Sequence, residues 1–318
     1  MENITNVANV WMWIGFSIFL VLALSADTFF LSKNNAHPRT SIRAALWWTI
    51  LWVCCALLFN ILLWIYLYFT ATPAVANETG LNFLTGYLIE KTLSLDNLFA
   101  FFIIFKQFSI PLEFQQRVFS YGIWSAIVLR LVLILIGAKL VIEFHWLLYL
   151  MGVFLFLTGI KMFLIREEEK DISKGKLFNF LQTHLRITKN LMGQRFFVRQ
   201  NALIYVTPLF ISLIFIELSD IIFALDSIPA IFAITTDPFI VWTSNIFAIL
   251  GLRALYFIMS GMVHRFHLLK YGIALILVFV GSKMLIAPWI DISALLSLGI
   301  IVGILLIFTL LSRLYCTE

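Results

Sequence analysis

The sequence predicts an all-α polytopic membrane protein with about nine transmembrane helices that include an inverted three-helix repeat. Three observations carry that prediction. First, 62% of the 318 residues are hydrophobic and only 12% are charged, with a mean hydropathy of +1.00. Such a composition cannot clothe a water-facing surface, so residues 1–318 read as a single transmembrane domain. Second, the basic residues fall in alternate short loops, as topology requires. Third, one acid-bearing segment occurs twice. The net charge of +5 therefore reports membrane orientation and not nucleic-acid binding.

Apolar runs long enough to span occur at roughly 10–32, 44–70, 82–105, 118–141, 146–165, 202–234, 239–262, 268–287 and 293–312. The sixth run is too long for one straight crossing, and Pro208 and Pro229 predict a kink or break in it. Lys33, Arg39 and Arg43 follow the first run, and Lys106 and Arg117 follow the third. The loop at about 166–200 holds eight basic residues and reads as a cytoplasmic connector with an interfacial helix. Arg265 and Lys270 follow the seventh run, and Arg313 lies in the tail. The opposite loops are nearly free of basic residues. The positive-inside rule then puts the N-terminus outside and the C-terminus in the cytoplasm. Cys54, Cys55 and Cys316 form no disulfide or zinc pattern.

The repeat sets "EKTLSLDN" against "DIIFALDS". Glu90, Asp96 and Asn97 match Asp220, Asp226 and Ser227 at a constant separation of 130 residues. Downstream, Arg130 pairs with Arg253, and Gly159 and Lys161 pair with Gly281 and Lys283. The copies cover about 82–165 and 202–287. Each is three spans long, so the second enters from the opposite side, the architecture of many secondary transporters. A shorter echo, "LSADTFF" against "LSLDNLF", pairs Asp27 with Asp96. Asp27 is either a gate residue or an interfacial acid.

Charges at membrane depth are costly and usually functional. Asp27, Glu90, Asp96, Glu217, Asp220 and Asp226 outnumber the clear embedded bases, Arg130 and Arg253. That excess predicts a cation, protons or both. On a helix Glu90, Ser94 and Asn97 share a face, as do Asp220 and Ser227, and Ser219 and Asp226. Asp96 is turned about 120° from Glu90, so either the acids line a wide cavity or the backbone opens. On the other acid-bearing helix Pro229 cannot hydrogen-bond back to the carbonyl of Leu225, which offers a further oxygen ligand next to Asp226. Lys91 is placed to snorkel. Carboxylate, amide and hydroxyl oxygens favour a hard divalent ion such as Mg, Ca or Mn. The structural alternative is that Glu90 pairs with Arg130, and Asp220 or Asp226 with Arg253, as buried ion pairs. Asn60 and Asn245 read as interhelical hydrogen-bond partners, with Asn245 the better ligand candidate.

"IEKTLSLDNLF", "ELSDIIFALDSIPAIFAIT" and "TSNIFAILGLRALYF" resemble the TerC family of bacterial integral membrane proteins, and within it the Alx-like branch. The resemblance spans about 10–312. It implies export of Mn(II) across the bacterial inner membrane and selects manganese among the hard ions. By motif it assigns the metal site to Glu90, Asp96, Asn97, Glu217, Asp220, Asp226 and Ser227. Ser94, Asn245 and Asp27 are secondary or gate positions, and Arg130 and Arg253 balance charge.

The expected function is a multi-pass secondary transporter, not an enzyme. Mn2+ is its cargo, protons are its coupling ion, and it carries no prosthetic group. No nucleotide-binding loop is present. The alternatives are an exporter of a small organic cation or amino acid, with Trp124 and Trp242 as lining, and a non-transporting membrane partner in metal stress.

Overall fold

The structure is a computed structural model that describes residues 8–33, 42–144, 146–164, 180–181, 183–188, 190–200, 203–260, 269–290 and 292–314. The described chain is predominantly helical. Helices α1 (Val10–Lys33) and α2 (Ile42–Thr70) precede α3 (Pro73–Gln107), α4 (Leu112–Glu143) and α5 (Trp146–Leu164). A hairpin of strands β1 (Phe197–Gln200) and β2 (Leu203–Val206) leads into α6 (Pro208–Phe232) and α7 (Pro238–Ile249). Helices α8 (Leu252–Ser260), α9 (Leu269–Ile286) and α10 (Ala294–Leu314) complete the described chain.

Among the described residues, six helical segments are long and apolar enough to cross a membrane, α7 and α8 together forming one of them. Two shorter apolar helices lie at Val10–Ala26 and Tyr271–Ile286. Large apolar side chains such as Trp11, Trp47, Phe69 and Leu164 are exposed, which suits a lipid surround and not water.

Helix α3 lies at the centre, packed against α2, α6, α7 and α10. It begins about nine residues before the predicted span. Thr72 caps it, its Oγ1 accepting from the Val75 amide at 3.3 Å, and Pro73 fills the first helical position. Those start signals lie in a polar stretch that hydropathy reads as loop. The predicted run 202–234 is broken at Pro208, one of the two expected positions. Its first residues form β2, and the helix starts at Pro208. The expected break at Pro229 is absent, because α6 continues helically to Phe232. The break lies in the next span, where α7 ends at Ile249 and Gly251 takes φ +87°. The hairpin was not expected in the basic loop. Residues 165–179, which carry much of its charge, lie outside the described residues.

Depth orders the helices. In an 18-residue stretch of the α7–α8 span 89% of the residues are buried in the protein, against 11% in such a stretch of α10. Aromatic rings pin α1 and α2 onto α7: Trp13 stacks on Trp242 at 5.3 Å and Phe59 meets Phe247 at 5.1 Å.

The most extensive helix contact joins α5 to α9, and glycines permit it. A Cβ on Gly159 would stand 2.8 Å from the carbonyl oxygen of Ala274. One on Gly281 would stand 2.6 Å from the Phe156 nitrogen and 2.8 Å from the carbonyl oxygen of Gly152. Gly159 and Gly281 are separated by 122 residues, and so are Gly152 and Ala274. The contact is therefore reciprocal: Gly159 meets Ala274 where Gly281 meets Gly152.

Candidate functional site

The site is built around Arg130, near the middle of the predominantly apolar helix α4. Arg130 is fully buried. An isolated guanidinium at such a position would be unstable, so its donors must all be directed to acceptors. Nε donates to Asp220 Oδ2 at 3.1 Å and Nη2 to Asp220 Oδ1 at 2.7 Å, a bidentate pair. Nη1 donates to Glu90 Oε1 and, at 3.1 Å, to Asn245 Oδ1. One side chain of α4 thus ties together α3, α6 and α7. With both carboxylates ionised, the cluster carries one net negative charge.

Two of the repeat-matched acids, Glu90 and Asp220, meet on this single arginine. Of the alternative that paired Asp220 or Asp226 with Arg253, the structure shows both Asp220 oxygens bound to Arg130. Arg253 is buried and donates to Ser120 Oγ on α4 at 2.8 Å. Asn245 takes the interhelical role expected of it. Trp242 belongs to the aromatic packing with Trp13 and Phe16, and Trp124 is 37% exposed, so neither forms an aromatic-lined cage.

Three buried polar atoms of this region have no hydrogen-bond partner among the described residues: Glu90 Oε2, Asn245 Nδ2 and Ser227 Oγ. Native interiors rarely leave such atoms unsatisfied, and each calls for water, an ion or a functional reason. Glu90 Oε2 and Ser227 Oγ are oxygen donors of the kind a hard cation takes. Asn245 Nδ2 donates a proton and would suit a water of a hydrated ion. Ser227 stands two helical turns beyond Asp220 on the same face of α6.

The other candidates divide by position. Ser94 and Asn97 are buried on the α3 stripe with Glu90, and Ser94 donates to the carbonyl of Lys91 at 2.7 Å. Helix α3 runs unbroken from 90 to 97, so the backbone does not open between Glu90 and Asp96. Glu217 is half-buried and turned to α4, where it accepts from Ser125 Oγ beside Gly122. Asp226 is half-buried, turned about 120° from Asp220, and within electrostatic reach of Lys161 on α5. Neither joins the Arg130 cluster. The side chains of Asp27 and Asp96 lie outside the described residues. Among the described residues, no three His, Cys, Asp or Glu side chains stand close enough to hold a metal ion.

Sequence reasoning missed one contact next to the hub. Lys91 does not snorkel. Its Nζ turns inward to the carbonyl oxygens of Ala248 at 3.1 Å and Leu250 at 3.4 Å. The signal was available as a glycine, Gly251, inside an apolar run.

Residues 75–318 match the model of a family described as "Integral membrane protein TerC family". A protein of Salmonella typhi named "Putative membrane-bound redox modulator Alx" is 50% identical over 302 residues, covering 95% of this chain and 94% of that protein. Its counterpart of the same name in Escherichia coli strain K12 is 49% identical over 300 residues, covering 94% and 93%. An uncharacterized membrane protein of Myxococcus xanthus is 44% identical over 305 residues, covering 96% and 92%. No solved structure matches the chain.

Proposed function

The chain belongs to the TerC family of integral membrane proteins, and from that premise we propose that it is a secondary transporter that exports Mn(II) from the bacterial cytoplasm in exchange for protons. The observation that carries this reading is the Arg130 hub. Two acids from the two sequence repeats share one buried guanidinium, while Glu90 Oε2 beside it and Ser227 Oγ two turns along α6 have no partner among the described residues. Buried ion pairs contribute little net stability, so an arginine held by two acids is a poor choice for a purely structural core. It is a suitable counter-ion for a cation site. In the proposed cycle Arg130 holds the acids when no metal is bound. Mn(II) arriving from the cytoplasm displaces the guanidinium and takes Glu90 and Asp220, with Asp96, Asn97 and Ser227 as oxygen ligands at further points of its path. Protons arriving from outside release it. Glu217 and Asp226, turned toward α4 and α5, serve as outlying carriers of metal or protons. The oxygen donors account for a hard divalent ion, and the family resemblance selects manganese.

The architecture proposed with it is nine crossings: the six long apolar segments, the two shorter apolar helices and the 35-residue α3. The N-terminus is then outside and the C-terminus cytoplasmic. The reciprocal contact of α5 with α9 supports an inverted repeat, because a two-fold relation exchanges the Gly159–Ala274 and Gly281–Gly152 contacts. The relatives' name favours a second reading, a redox role. The described thiols give it little support: Cys54 and Cys55 are both free and, as helical neighbours, are turned about 100° apart.

The test is Mn(II) uptake or release by liposomes holding the purified protein under an imposed pH gradient, with Glu90→Gln, Asp96→Asn and Asp220→Asn alongside. Proton-driven Mn(II) movement lost in the variants is expected. Competition by basic amino acids would favour the organic-cation exporter. No movement by correctly inserted protein would favour a non-transporting partner.

A further inference from the structure

The break between α7 and α8 lies inside the most buried of the six long apolar segments among the described residues. Helix α7 stops at Ile249. The amide of Leu250 still reaches the carbonyl of Ile246 at 2.9 Å, and Gly251 then turns the chain at φ +87° before α8 starts. Only glycine takes that conformation without strain. A Cβ there would also stand 3.0 Å from the ring of Trp52, so the turn is packed in place.

The last carbonyls of a helix have no intrahelical donors, and they sit at the negative end of its dipole. In the interior of a membrane protein they need a cationic or donor group. Here Lys91 of α3 supplies it, with Nζ on the carbonyl oxygens of Ala248 and Leu250. Its chain neighbour Glu90 reaches the same helix through Arg130 and Asn245, about one turn earlier. Helix α3 therefore grips α7 twice, once by the acid hub and once by an ammonium at the break.

We propose that the α7–α8 break is a second cation site, of the class that binds small monovalent cations through backbone carbonyls, and that Lys91 fills it with its own ammonium. Carbonyl oxygens with no carboxylate among them suit a single positive charge, as in channel filters. Unwound carbonyls at half-helix C-termini likewise coordinate monovalent coupling ions in transporters with discontinuous helices. An ammonium and an alkali ion make equivalent demands on such oxygens. The difference is tethering: Lys91 never diffuses away, so the break stays charged without sodium or potassium. This site is distinct from the Arg130 hub, and the proposal does not depend on the manganese reading.

The experiment compares thermal unfolding of the purified wild-type protein with Lys91→Arg, Lys91→Gln and Lys91→Met. Each is measured in sodium, potassium or N-methyl-D-glucamine chloride at equal ionic strength. The wild type and Lys91→Arg are expected to melt at the same temperature in all three salts. Lys91→Gln and Lys91→Met are expected to melt several degrees lower in N-methyl-D-glucamine, and to recover saturably in sodium or potassium. Recovery of folded variant only from the alkali salts has the same meaning. Equal melting of both variants in all three salts would overturn the proposal. So would an alkali-ion shift as large in the wild type. If neither variant can be recovered in any salt, a free cation cannot replace the ammonium and the proposal also fails. Manganese is absent from every arm, so failure here is separable from failure of the export reading.

Discussion

Arg130 and Arg253 occupy matching places in the two sequence repeats, yet they do different work. Arg130 rides on a continuous helix of 32 residues and gathers Glu90, Asp220 and Asn245 from three other helices. Arg253 sits just past a break, in the first turn of α8, and reaches back to Ser120 of α4. Both acids thus go to the first repeat's arginine, and the second repeat has the broken helix. The difference teaches that matching sequence positions need not sit on matching backbone: the acids Glu90 and Asp220 gather on a continuous helix, and the second repeat carries the break.

The largest expected effect tests that division. Arg130→Met leaves two buried carboxylates uncompensated and should cost about 3–5 kcal/mol, read as loss of monodisperse protein or a lower thermal midpoint. Adding Glu90→Gln and Asp220→Asn to it should restore part of the loss, because no buried charge then lacks a partner. Failure of the triple variant to recover any of the lost stability would break the comparison.

Glycine substitutions test the part of the molecule where the repeats do match. Gly159→Ala and Gly281→Ala both force a Cβ against the backbone of the facing helix. Each should cost about 1–3 kcal/mol, and the two thermal shifts should be similar. Gly251→Ala addresses the asymmetric feature and should also cost about 1–3 kcal/mol, from its left-handed backbone. Ser125→Ala removes only the hydroxyl donor to half-buried Glu217. It should cost about 1 kcal/mol, the smallest of these shifts.

Much of the fold was legible because the bilayer imposes length and apolarity on each crossing. The predicted spans at 10–32, 146–165, 268–287 and 293–312 coincide closely with α1, α5, α9 and α10. The start of α3 was obscured because its capping signals lie among Asn77, Glu78 and Thr79, which lower the hydropathy. The break at Gly251 was obscured for the opposite reason, since Ile249, Leu250 and Leu252 keep the run apolar through it. Pro229 misled because a proline near a helix end, among neighbouring helices, is tolerated. The hairpin's four-residue strands are too short for a periodic signal.

At the site, the embedded acids and the Glu90–Arg130 pair could be read from charge and depth. That Asp220 would share Arg130 could not be, because sequence spacing orders residues on one helix and not between helices. The turning of Asp226 away from Asp220 follows from helical period alone. Its proximity to Lys161 required the packing of α5.

The central claim is that the acids gathered on Arg130 carry a transported cation. The most direct measurement is Mn(II) flux in liposomes under an imposed pH gradient, comparing the wild-type protein with Asp220→Asn after both are shown to be folded and inserted. The account predicts proton-driven Mn(II) movement in the wild type and its loss in the variant. Full flux in the variant, or none in the wild type, would contradict it and leave the Arg130 cluster as an interhelical brace.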